Sequence, residues 1–160
     1  MYTSAALLDI HSRSHRCLAR LLDHCRPFHA DEFDREIEGF GYPTLRLQFH
    51  HEIGAEEYWV GVLLGRMDVD DDAHLYPTVE TLETYRERVA GRTREYLAGA
   101  SEEELNTPRE MTTWGGNVRA LTPAHVILRT STHLFHHQGQ IMAMCRILGR
   151  PAEGMDFPLL

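Results

Sequence analysis

Four stretches of about 20 residues carry apolar side chains at 3- and 4-residue spacing, and each ends at a helix breaker. The first runs from about Ser4 to Cys25, with the stripe Leu7, His11, Ser14, Leu18, Leu21, Leu22 and Cys25, and Pro27 closes it. The second starts near Pro43, which suits a first helical turn, and stops at Gly65. The third begins at Thr78, an N-cap after Pro77, buries Leu82, Tyr85, Val89, Thr93 and Tyr96, and ends near Gly99. The fourth restarts at Thr122-Pro123 and runs to Leu148, where Gly149 and Pro151 stop it. Four such helices joined by modest connections predict an all-α chain, a four-helix bundle spanning residues 1–160 as a single domain.

The connections are acidic or irregular. Asp31 to Glu38 is an acidic link, and Met67 to Ala73 is an aspartate-rich loop. Ser101 with Glu104 fits a capping box for a short extra turn. Residues Thr107 to Leu121 break the helical rhythm. There Met111 to Trp114 and Val118 to Leu121, separated by Gly115-Gly116-Asn117, fit a small hairpin between the third and fourth long helices.

Composition then excludes several functions. Every one of the 16 basic residues is arginine, which removes Schiff-base chemistry and lysine bases. Against them stand 24 acidic residues, a net charge of −8, which argues against a nucleic-acid partner. No run of about 18 apolar residues exists to enter a membrane, and Met1 to Ile10, carrying Asp9, does not read as a signal peptide. Cys17, Cys25 and Cys145 form neither a disulfide framework nor a zinc knuckle. The expected setting is cytoplasmic, with small-molecule partners. What remains is an excess of histidine, 11 in all.

Periodicity sorts these histidines. The fourth helix's stripe is Val126, Thr130, His133, His137, Ile141, Met144 and Leu148, so two histidines stack one turn apart on a core-facing side. On the second helix, His51 lies on the stripe Leu47, His51, Gly54, Ala55, Tyr58 and Val62. His50 aligns with Arg46 and Glu57, which reads as a solvated edge. A second apolar face on this helix (Phe49, Ile53, Val60, Leu63 and Leu64) must meet loops or a partner chain, and it motivates the expectation of a homodimer. It also leaves the choice between His51 and His50 open. Burying two histidines is costly unless their nitrogens are satisfied. A divalent ion satisfies both, and a third ligand from a facing helix leaves one position open, as in catalytic zinc sites. Nitrogen ligands suit zinc and nickel, and also iron, copper or manganese. A His-x3-His pair is also found as ordinary hydrogen-bonded histidines, and Leu134 stands where a zincin would carry glutamate.

Two segments add a resemblance. His51 to Trp59 resembles the second helix of the DinB-like proteins. His133 to Gly149 (His-Leu-Phe-His-His-Gln-Gly-Gln-Ile, ending Leu-Gly) resembles that family's fourth-helix signature. Gln138 stands where the family usually has a basic residue. The resemblance implies a four-helix bundle holding a divalent metal through His51, His133 and His137. It further implies a metal-dependent transferase that activates a low-molecular-weight thiol as thiolate for attack on an electrophile. The same ion can instead activate water, giving a hydrolase, or sit in a non-catalytic metal-binding stress protein.

Around this set, Tyr58 lies two turns beyond His51 and can meet substrate or fill core. Gln140 borders the face of His137 and can contact a ligand histidine or pack between helices. His11, on the first helix's stripe, can approach the site or be a satisfied core histidine. Arg86 and Arg129 can receive an anion or stay solvated. The aspartates from Asp68 to Asp72 lack the spacing of a calcium loop and read as a solvated turn.

Overall fold

Hydroxyl side chains set where the helices begin. Thr3, Thr44, Thr78 and Ser101 accept from the backbone N–H of Ala6, Leu47, Thr81 and Glu104, satisfying donors that a helix start leaves unpaired. In the computed structural model, which describes residues 1–67, 69 and 72–159, these caps open α1 (Ser4–Cys25), α3 (Leu45–Leu64), α4 (Val79–Gly99) and the short α5 (Glu102–Asn106). A further short helix, α2 (Ala30–Phe33), lies within the acidic link, and α6 (Pro123–Ile147) is the last. Pro43 is therefore not in the first turn of α3: the Thr44 hydroxyl caps one residue later. Thr122 occupies the N-cap of α6, but its side chain makes no cap hydrogen bond; Pro123 supplies the start. The break before α6 is a two-stranded antiparallel hairpin, β1 (Arg109–Thr112) with β2 (Val118–Leu121), Met111 opposite Arg119. Its first strand ends before Trp114, which joins Gly115 and Gly116 in a tight turn where Gly115 (φ 68°) and Gly116 (φ 75°) take the left-handed backbone. The chain is thus mostly helical, with this hairpin as its sheet among the described residues.

The long helices close a four-cornered bundle. α3 packs most extensively on α6; α1 lies against both α4 and α6, and α4 against α3. α1 and α3 thus face each other across the diagonal. Two apolar clusters stack along the axis. One holds Leu18, Phe49, Ile53, Tyr85 and Met144; the other holds Leu7, Tyr58, Leu97, Leu105 and Ile127. A buried polar layer lies between them, made of His11, Ser14 and His15 on α1, Glu52 and Glu56 on α3, Thr93 on α4, and Thr130 and Ser131 on α6. On α4 Leu97 is fully buried and Tyr96 only half-buried, a shift of one residue from the sequence stripe. The second apolar face of α3 is used internally: Phe49, Ile53, Val60 and Leu63 are buried and Leu64 is exposed. That face no longer argues for a homodimer.

α3 ends tightly. Gly65 takes the left-handed backbone (φ 66°), and the Arg66 N–H returns 2.8 Å to the Gly61 carbonyl. A Cβ at Gly61 would lie 2.2 Å from the Arg66 carbonyl oxygen. Gly61→Ala must therefore displace the turn, with an expected loss of about 1–3 kcal/mol in urea unfolding.

None of the described helices is long and apolar enough to cross a membrane. Asp68, Asp70 and Asp71 of the aspartate-rich turn lie outside the described residues.

Candidate metal centre

The facing turns of α3 and α6 bring His51, His133 and His137 together. Their ring centroids are 5.3 Å (His51–His133), 4.6 Å (His51–His137) and 4.4 Å (His133–His137) apart. The Nε2 atoms of His51 and His133 are 3.3 Å apart, and one ring nitrogen from each of the three lies within 4.8 Å of the others. His50 is not among them. It is buried against Tyr76 and Tyr85, at ring distances of 5.6 Å to each. Reading it as a solvated edge with Glu57 is therefore corrected. Tyr85 of α4 covers that face and donates to Glu57 (2.7 Å), while Arg88 (2.7 Å) and Arg92 (3.0 Å) balance the buried carboxylate.

The surrounding hydrogen bonds select a tautomer. The Gln48 side-chain amide donates to the Tyr42 carbonyl (3.0 Å) and to Gln140 Oε1 (2.9 Å). That fixes which end of the amide is oxygen, and Gln48 Oε1, 2.9 Å from His137 Nδ1, must accept from it. The proton of His137 is then on Nδ1, and its Nε2 lone pair is left for the histidine group. Gln140 does not touch a member of the trio; it holds Gln48 and donates to His136 Nε2 (3.0 Å). The Tyr42 ring stacks on His51 at 3.9 Å and 18° and sets that imidazole's plane.

Electrostatics keeps the trio neutral. Burial, with His133 and His50 nearby, pushes His51 down to about 4. Burial, with His133, His51 and His136, pushes His137 down to about 3, and His133 is lowered by burial, Arg129 and His136. At neutral pH three imidazoles therefore converge uncharged. At most one N–H can sit between the His51 and His133 Nε2 atoms. This donor set fits a divalent cation, which needs deprotonated nitrogen ligands.

A second group, His11, His15 and Glu56, occupies the polar layer and is fully buried. Its members bond to one another through one carboxylate, with only His11 Nδ1 left without a partner among the described residues. Glu56 accepts from His11 Nε2 (2.9 Å), His15 Nε2 (2.7 Å) and Thr93 Oγ1 (2.5 Å), and Arg86 donates to His15 Nδ1 (3.2 Å). A cation there would displace three donors and face a guanidinium. His11 is thus a core histidine and does not join the trio. Arg86 is likewise tied down, by Glu83 and Glu87.

A cavity of about 530 Å³ opens beside His51 and His133, lined along α3 by Gly54, Ala55 and Tyr58 and closed by Tyr42, Trp59 and Trp114. Tyr58 is buried, and its hydroxyl accepts from the Trp114 backbone N–H (2.9 Å).

The DinB family sequence model matches residues 1–160. The chain belongs to the DinB family. The crystal structure of the conserved protein of locus from Enterococcus faecalis superposes on this DinB-family chain with a TM-score of 0.66. That likeness covers 92% of this chain and 98% of the other at 13% identity, so it speaks for the fold alone. No curated protein matches the chain. For this DinB-family bundle, Gln48→Leu removes the acceptor that fixes the His137 tautomer. The variant is expected to bind a divalent ion roughly 10–100-fold more weakly with unchanged helicity, measured by competition with a chromophoric chelator.

Proposed function

We propose that this DinB-family protein is a metal-dependent transferase that joins a low-molecular-weight thiol to an electrophilic small molecule. His51, His133 and His137 hold the ion, and zinc or nickel suits their three nitrogens. The observation that carries the reading is the placement of His51 and His133 in the wall of the cavity, next to His137. An ion held by these histidines would be within reach of a reactant that enters that space. When bound, the ion lowers the pKa of a thiol that reaches it, so the nucleophile is present at neutral pH without a protein base.

The chain's own residues do the positioning. Gln48 presents His137 through Nε2, and Tyr42 holds the His51 ring in plane. Tyr58, Trp59 and Trp114 cover the far end of the cavity and reduce its water content. No carboxylate or guanidinium lines the cavity among the described residues, so neither a protein base nor an anion clamp competes with the ion for the thiol.

The test is turnover by the zinc- or nickel-loaded protein with a panel of thiols, glutathione and cysteine included, against reactive aryl halides and epoxides. Product formation that needs both the ion and a thiol supports the transferase. Turnover without thiol assigns a hydrolase, and stoichiometric ion without any turnover assigns a metal-binding protein with no catalytic role.

A further inference from the structure

The cavity has a shape that the trio alone does not explain. The α3 wall of the cavity runs from Leu47, past His50 beside His51, to Trp59, and its stretch from His51 to Tyr58 carries Gly54 and Ala55 at successive spacings of 3, 1 and 3. The histidine stands at one end and the tyrosine at the other, seven residues on, or about 10 Å along the helix axis. Between them stand glycine and alanine: a Cβ at Gly54 would come within 3.3 Å of the Tyr85 hydroxyl, and the small Ala55 side chain keeps the floor low. The far end is built from flat rings. Tyr58 and Trp114 stack at 4.9 Å and 10°, and Trp59 meets Tyr58 edge-on at 5.0 Å. Trp114 is 58% exposed, and with one face stacked on Tyr58 it presents the rest of its indole at the cavity. It also does not wander: the hairpin carries it, and its backbone N–H is held by Tyr58. Among the described residues the lining holds no charged side chain outside the histidines.

We infer that the substrate of this centre is an elongated molecule with a polar reacting head at the three histidines and an aromatic tail lying on Ala55 against Trp114. The head-to-tail length is set by the His51–Tyr58 separation. The tail is flat because the far end offers ring faces and edges, and planar groups gain from stacking there as well as from burial. This deepens the proposed function and rests on it for the head; the tail subsite stands on the cavity alone.

Matched hydroxamates separate the two parts. Acetohydroxamate supplies a metal-binding head without a tail, hexanohydroxamate adds a flexible chain, and 3-phenylpropanohydroxamate adds a ring. In calorimetry with the zinc-loaded protein, the phenyl compound is expected to bind at least tenfold more tightly than acetohydroxamate and more tightly than the hexano compound. Trp114→Ala should remove most of that gain. Ala55→Leu, which fills the floor, should remove all of it. Equal affinity for all three compounds, with acetohydroxamate bound, overturns the tail subsite and leaves the metal centre standing. Should acetohydroxamate not bind, the metal reading fails by itself. The tail is then tested on the metal-free protein with naphthalene-2-carboxamide. Saturable binding abolished by Ala55→Leu supports the subsite, and absence of binding overturns it.

Discussion

His51→Ala, His133→Ala and His137→Ala are each expected to cut divalent-ion affinity by more than about 100-fold, beyond the roughly 10–100-fold that loss of an outer partner costs. The reason is the count of donors. Among the described residues the three rings converge with no carboxylate in their group, so each supplies one of three nitrogens. His50, the nearest alternative in sequence, is packed between Tyr76 and Tyr85. Metal content after loading and gel filtration, read by inductively coupled plasma mass spectrometry, should fall from near one equivalent to a small fraction of one. Folding should survive in His51→Ala and His133→Ala, because these rings are only half-buried and line open space, and far-ultraviolet circular dichroism checks the buried His137→Ala. An equal loss for His11→Ala would contradict the assignment, since that histidine belongs to the Glu56 network.

The largest effect on stability is expected at Glu56. Its carboxylate sits across the bundle diagonal and takes three hydrogen bonds from α1 and α4. Burial by itself would push its pKa up, but His15 and His11 hold it well below the usual carboxylate range. Glu56→Ala leaves the Nε2 atoms of His11 and His15 without their acceptor in a buried layer, and should cost about 3–5 kcal/mol in urea unfolding. The sign of the pH dependence follows. A carboxylate whose folded pKa is depressed contributes stability that is present above its unfolded value of 4.5 and is lost as pH falls through the folded value. The gap between parent and variant should therefore be widest near neutral pH and shrink on acidification below about 4.5. Glu52, one turn earlier, is the contrast. Its oxygens have no partner among the described residues, and burial, aided by Glu56, pushes its carboxyl well above the usual carboxylate range.

Much of this arrangement was legible in the chain, for one physical reason: helix periodicity is local. The spacing of His133 and His137 places them on one face whatever packs opposite, and the stripe through Leu47, His51 and Tyr58 identifies the helix side that carries the third ring. What periodicity cannot report is which faces meet. His50 and Glu57 read as solvated because charged types usually are, and only α4, arriving with Tyr85, Arg88 and Arg92, makes that side an interior. The same gap hid the diagonal pairing of His11 and His15 with Glu56. Gln48 is buried three residues before His51, and its identity as the acceptor for His137 exists only across two helices. Tyr42 and Trp114 come from irregular segments, where no repeat marks a residue as part of a site. Their nearest sequence signal is the Gly115-Gly116 turn, which announces a hairpin but not what its tip covers.

The most direct measurement of the central claim is X-ray absorption on the zinc-loaded protein, taken without and with an added thiol. Three imidazole ligands with light atoms completing the shell, and one sulfur entering at about 2.3 Å when thiol is added, is the predicted outcome. A shell containing a carboxylate, as expected were the ion held by His11, His15 and Glu56, or a loaded protein that retains no zinc, would contradict it.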